Sequence, residues 1–301
     1  MGDNLAIKFL LKKKFFIFFL IFFIVGISVT KNYGISSDEF SSRNKGFVTL
    51  NYLGDKFLPD LNKSIRGNKN IPDLHDYKQK IYGPVFESAA SFFEIVLNLD
   101  EKKDQFLLRH YLNFIVFFIS VIFFYKIIYL RFRNYNYAFL GSVFLILSPR
   151  IFANSFYNNK DLVFLSFIII SSYYCLKFLK QKNLKNSLKF SFFTAIAIDI
   201  RILGILLLIT NLLLSFYKDI LDKSLFKNLL INFLSLLFFV IFVIIFWPYL
   251  WESPINNFLF AFNNMANFDI DVNNLFFGEL INGRNVPWYF LITWIFITTP
   301  I

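Results

Sequence analysis

The stretch Phe190-Ser-Phe-Phe-Thr-Ala-Ile-Ala-Ile-Asp199-Ile-Arg201-Ile-Leu-Gly-Ile-Leu-Leu-Leu-Ile-Thr-Asn-Leu-Leu-Leu-Ser-Phe-Tyr217 decides how the chain is arranged. Taken as one piece it is a helix of about 28 residues, more than enough to cross a bilayer. It would then carry a carboxylate and a guanidinium deep in hydrocarbon, which is costly. The paired charges instead predict a break. Phe190–Ile198 and Ile202–Tyr217 become two short helices that meet near one membrane surface, and this choice fixes the side of every later loop.

Upstream, Lys12-Lys13-Lys14 is followed by the run Phe15 to Val29, made almost wholly of Phe, Ile, Leu and Val. No small-x-small cleavage pattern follows, so the run is expected to be a retained signal-anchor helix. Further apolar runs cover Tyr111–Leu130, Tyr137–Leu147, Leu162–Phe178 and Leu229–Trp247, and another starts at Trp288. With both halves of the hairpin, about eight membrane spans result. Apolar residues form 56% of the 301, and the mean hydropathy is +0.55, which excludes an ordinary soluble protein. The fold class expected is an all-α polytopic membrane protein.

A formal charge of +11 could point to nucleic acid, but the excess lies in short clusters beside hydrophobic runs. No continuous polar face is left to carry a nucleic-acid stripe. With the amino terminus inside, the inner segments hold 15 basic residues against three acids, and the outer segments hold 16 against 17. That is the positive-inside bias. The single cysteine, Cys175, excludes an internal disulfide and a cysteine metal cluster.

Residues 1–301 are expected to form one transmembrane domain with large outer loops at 30–108 and 248–287. The first loop contains amphipathic helices, among them Ser88–Leu99. Its apolar Phe92, Phe93, Ile95, Val96 and Leu99 have near-helical spacing and would lie on the membrane or against the spans. Trp247, Trp251 and Trp288 edge the second loop like an interfacial aromatic belt. The chain stops at Thr299-Pro300-Ile301, inside its last apolar run, and is expected to be a fragment or a truncated member of a longer family.

The polar residues at the outer boundary are Asp38, Glu39, Arg109, His110, Arg150, Lys160, Asp161, Asp199 and Arg201. Each has a plain structural explanation. Ser36, Ser37 or Asp38 would serve as a helix N-cap, Asp161 could cap the span it starts, and each Arg could snorkel to lipid headgroups. Their shared level gives them more weight together. Carboxylates and cations from several helix ends at one depth suit a site that takes a lipid phosphate and activates a hydroxyl.

Asp38-Glu39 after the first span, Arg109 opening the second, and Leu147-Ser-Pro-Arg-Ile-Phe-Ala-Asn-Ser-Phe-Tyr-Asn-Asn-Lys-Asp161 resemble bacterial relatives of the dolichyl-phosphate-mannose protein mannosyltransferases. These are glycosyltransferase family 39, of the GT-C superfamily, which includes the aminoarabinose transferase of lipid A. The tail from Asn285 to Pro300 is similar to the start of a late span in those proteins. The resemblance implies an inverting transfer of sugar from a polyprenyl-phosphate donor to an acceptor hydroxyl, on the periplasmic face of a bacterial inner membrane. It implies Asp38 as general base with Glu39 as neighbour or substitute, and Asp161 as a second acid near donor and acceptor. Arg109 would contact the donor phosphate or fix the first loop; Arg201, Arg150 and Lys160 are further phosphate candidates. Some relatives bind a metal through a Glu and a His, but no spacing here singles out a pair from His75, His110 and Glu87. No metal or other cofactor is expected. The partners expected are the lipid-linked donor and membrane lipids, with the acceptor left open and nucleic acid excluded. The competing readings are a polytopic transporter or lipid flippase, or an inactive fragment. Against transport, the span centres are nearly free of charge and the sequence shows no internal repeat.

Overall fold

The computed structural model describes residues 2–60, 62, 71–267 and 271–298, with side chains from Phe15 onward. The chain is mostly helical. Its α-helices are α1 (Gly2–Thr30), α2 (Ser37–Phe57), α3 (Val85–Val96), α4 (Lys102–Phe132), α5 (Tyr135–Leu147) and α6 (Pro149–Asn154). There follow α7 (Asp161–Lys180), α8 (Leu184–Ile200), α9 (Ile205–Leu221), α10 (Leu225–Phe246), α11 (Pro254–Ala266) and α12 (Phe290–Thr298).

The chain breaks between α8 and α9. Arg201 is extended (φ −144°, ψ 124°), and a 3-10 turn, Ile202–Gly204, leads into α9. The turn folds back tightly: a Cβ on Gly204 would lie 2.7 Å from the Ile198 nitrogen, so only glycine fits that approach. At the opposite end Lys182, just before α8, donates to Asp219 and to Ser215 Oγ of α9, each at 2.5 Å. The two helices are therefore an antiparallel hairpin. Asp219 also accepts from Asn228 and Asn232 of α10, which fastens that end of the bundle.

The packing puts small polar groups inside and large apolar ones outside. Helix α8 runs between α7 and α10 and buries Ser187, Ser191, Thr194, Ala195 and Ala197. Ser171 and Thr194 hydroxyls are 2.6 Å apart, and Ser191 donates to the Ser235 carbonyl at 2.7 Å. Small residues let helices approach in lipid, where hydrophobicity does not drive them together. Leu213, Phe216, Leu230 and Phe233 face outward. A second core joins α1 to α4 through Phe22 and Phe114, with ring centroids 5.6 Å apart, and continues to Phe156.

Among the described residues, four helices are long and apolar enough to cross a membrane: Lys102–Phe132, Asp161–Lys180, Ile202–Leu221 and Leu225–Phe246. Phe15–Thr30 and Tyr135–Leu147 are apolar but shorter. The 13 residues of α5 cover about 20 Å, against about 30 Å of hydrocarbon. Length alone thus carries four of the about eight spans expected from hydropathy.

Helix α3 begins three residues before the expected Ser88, and its faces are reversed relative to a soluble amphipathic helix. Glu87, Ala90, Ser91 and Glu94 are buried against the protein while Phe92, Phe93, Val96 and Leu97 are exposed. An outward apolar face suits contact with lipid. The all-α expectation needs one correction, a two-stranded antiparallel ladder between α11 and α12. Here β1 (Asn273–Phe276) pairs with β2 (Glu279–Asn282). Phe277 (φ 51°) and Gly278 (φ 86°) form a two-residue turn with both central φ positive, the type I′ geometry that matches strand twist.

Candidate active site

Helix α2 follows α1 after a short connection. Ser36 is its N-cap, and the Glu39 carboxylate accepts the Ser36 backbone N–H at 2.7 Å. Glu39 faces inward, 1% exposed, and its other oxygen is 2.8 Å from His110 Nε2 on α4. Asp38 lies one position earlier and turns the other way. Its carboxylate is 67% exposed and pairs with Lys160 at 3.1 Å.

Lys160 and Asp161 are set by the loop before α7. Asn158 Oδ1 accepts the backbone N–H groups of Asp161 (2.8 Å) and Lys160 (3.2 Å). Asn158 therefore does the capping that Asp161 could have done, and the Asp161 carboxylate instead meets Arg201 at 2.5 Å. Asn113 of α4 donates to the carbonyls of Asn154 and Ser155, and Asn159 donates to Glu87 of α3 at 2.6 Å. These bonds pin the loop from both sides.

Behind this layer the segment Tyr82-Gly83-Pro84 is fixed on the tip of the α8–α9 hairpin. Asp199 accepts the Val85 N–H at 2.7 Å, at the start of α3. A Cβ on Gly83 would lie 2.2 Å from the Asp199 carbonyl oxygen, so the approach requires glycine. Lys45 of α2 donates to the Gly83 carbonyl at 2.9 Å, and Trp247 donates to the Lys80 carbonyl at 3.0 Å. Burial pushes the Lys45 amine below the usual lysine range, with Glu87 and Asp199 opposing the shift. Burial likewise raises the Glu87 carboxyl, against the pull of Lys45 and Arg109.

These contacts enclose a cavity of about 400 Å³ lined by Asp38, Lys45, Gln79, Tyr82, Lys160 and the Ile200–Leu203 tip with Arg201. Three of the residues singled out in the sequence, Asp38, Lys160 and Arg201, line it, and Asp161 joins it through Arg201. Arg109, 1% exposed, is not among the lining residues. It pairs with Glu94 of α3 and donates to Ser91 Oγ at 2.9 Å, and Arg43 of α2 pairs with the same Glu94. Arg150, the second residue of α6, is exposed and outside the lining. Glu39 is held by His110, and His75 faces Glu252 at 3.2 Å. Among the described residues no three His, Cys, Asp or Glu side chains gather as a metal site.

Lys45, Glu87 and Glu94 were not singled out from sequence. The signal was present as a periodicity of polar and small residues. Glu39, Ser42, Lys45, Gly46, Val48, Thr49 and Asn51 are the buried residues of α2, all but Val48 polar or small, and Glu87, Ala90, Ser91 and Glu94 those of α3. A search for apolar stripes passes over both.

A family model described as dolichyl-phosphate-mannose-protein mannosyltransferase matches residues 92–249, just over half of the chain. The chain belongs to this family. It is a multi-pass membrane glycosyltransferase of the GT-C superfamily, whose members use a lipid-linked sugar donor. No curated protein and no solved structure matches the chain. The matched segment covers α4 to α10 with Arg109, Lys160, Asp161 and Arg201, while Asp38 lies upstream of it.

Proposed function

We propose that the protein transfers a sugar, with inversion, from a polyprenyl-phosphate donor to an acceptor hydroxyl on the periplasmic face of a bacterial inner membrane. The observation that carries this reading is the meeting of Asp38 with Lys160 and Arg201 in one cavity. In the reaction the acceptor oxygen attacks the anomeric carbon. The bond from that carbon to the phosphate oxygen breaks, and the phosphate leaves with the electron pair. The acceptor proton passes to Asp38 as general base. Phosphate is a good leaving group, so the other need is positive charge to hold it. Lys160 and Arg201 supply that charge. Asp38 and Asp161 neutralise them in the absence of donor, and the phosphate displaces both carboxylates as it enters. Exchange at Lys160 frees Asp38 to take a proton, which couples donor binding to activation of the base.

In this reading Arg109 takes the second of its two expected roles, fixing the first loop, which its pairing with Glu94 of α3 supports. Arg150 has the position of a peripheral contact for lipid headgroups. Residues 30–108 and 248–287 are outer loops of one transmembrane domain, with the amino terminus cytoplasmic.

The test is Asp38→Asn with a labelled polyprenyl-phosphate sugar and purified, inserted protein. Transfer should fall by several orders of magnitude while folding and donor binding persist. Near-normal turnover would reject Asp38 as the base.

A further inference from the structure

Lys45 lines the same cavity as Asp38, Lys160 and Arg201, yet it differs from both other cations. Lys160 is paired with Asp38 and Arg201 with Asp161. Lys45 forms no ion pair among the described residues, and Glu87 and Asp199 influence it only at longer range. The residue is 7% exposed. Its ammonium offers three donors, and among the described residues one of them is used, on the Gly83 carbonyl. A buried ammonium with unused donors is costly unless an anion meets it. The acids behind it also have spare capacity: Glu87 Oε2 and Asp199 Oδ1 are buried without a hydrogen-bond partner. Both acids lie near the amine without forming an ion pair with it. The uncommitted positive charge of the cavity wall therefore belongs to Lys45.

We propose that Lys45 donates directly to the donor phosphate, as a third contact beside Lys160 and Arg201. This rests on the lipid-phosphate reading above and extends it to a residue outside the segment that the family model matches. A purely structural role, holding Gly83 in place, is the competing explanation, and the two differ in a measurable way.

The experiment compares binding of a polyprenyl phosphate with binding of the corresponding polyprenol, using the full chain in detergent. The wild type should bind the phosphate more tightly. Lys45→Met should weaken the phosphate lipid roughly tenfold to hundredfold, the size of a charge-assisted hydrogen bond, and leave the polyprenol unchanged. Equal phosphate binding by both proteins overturns the proposal, as does equal weakening of both lipids, which indicates a distorted cavity. If Lys45→Met does not fold, Lys45→Gln keeps a donor for the Gly83 carbonyl without the charge and carries the same comparison. Failure of both variants to fold assigns Lys45 to the fold and also overturns it. A wild type that does not distinguish the two lipids would instead sink the lipid-phosphate reading itself.

Discussion

Arg109 and Glu94 allow the role of a buried arginine to be measured. Glu94 is shared: Arg109 approaches from α4 and Arg43 from α2, with side-chain exposures of 1% and 24%. Glu94→Gln leaves both guanidiniums without their carboxylate, one of them fully buried, and should cost about 3–5 kcal/mol. Arg109→Met leaves Glu94 still paired with the half-buried Arg43. Its cost should be smaller, about 1–3 kcal/mol, mostly the lost bonds to Glu94 and Ser91. The double variant Arg109→Met/Glu94→Met removes the buried pair altogether, and Arg43 can turn to solvent. It should be less destabilised than Glu94→Gln alone, so the changes are strongly non-additive. Unfolding in detergent gives the stabilities, and binding of polyprenyl phosphate is followed in parallel. Two results would refute the reasoning. One is Arg109→Met being as damaging as Glu94→Gln. The other is Arg109→Met weakening phosphate binding at unchanged stability, which would return Arg109 to the donor site.

Other changes separate chemistry from support. Lys160→Met and Arg201→Met should each raise the donor KM about tenfold or more, while stability changes by about 1 kcal/mol or less because both pairs are exposed. Steady-state kinetics beside melting curves checks this. Gly83→Ala places a methyl 2.2 Å from the Asp199 carbonyl oxygen, and should cost about 1–3 kcal/mol in unfolding measurements. Glu87→Gln should be stabilising, increasingly so as pH rises. Burial raises the folded-state pKa of Glu87 above its unfolded value, so the folded state binds more protons and loses stability as pH climbs from the unfolded value through the folded one. Melting temperatures of both proteins across pH should converge in acid and diverge above it.

The parts of the fold that could be read in the sequence are those where membrane physics leaves few choices. A carboxylate and a guanidinium two residues apart in an apolar run require a break, and the chain breaks at Arg201. The buried stripes of α2 and α3 were not legible, because in both the buried side is polar. Charges at 39, 45, 87 and 94 on α2 and α3 look like solvated surface until their neighbours on α4, the 155–160 loop and α8 are known. The ladder at 273–282 escaped for a local reason: its turn places Phe277 at positive φ, where Asn or Asp is the usual signal.

Asp38 and Glu39 show most sharply what position along a helix decides. Neighbouring residues on a helix point about 100° apart, so one of an adjacent acidic pair at a helix start can face the interior while the other faces a cavity. Composition treats them as equivalent, and the resemblance allows either as base. Their surroundings differ. Glu39 has both oxygens engaged, by the Ser36 N–H and by His110, and solvent does not reach it. A proton taken from an acceptor could not get to it without dismantling the start of α2. Among the described residues Asp38 has a single exchangeable partner, Lys160, and it lines the cavity. Glu39→Gln should therefore keep measurable transfer, with kcat lowered less than tenfold, and show its effect in stability. Removing the charge on one side of a buried Glu–His contact is expected to cost about 1–3 kcal/mol. Asp38→Asn should do the reverse, leaving the melting curve almost unmoved while transfer disappears. If Glu39→Gln abolished turnover in a normally stable protein while Asp38→Asn retained it, the inner carboxylate would be the base. The cavity described above would then be the wrong one.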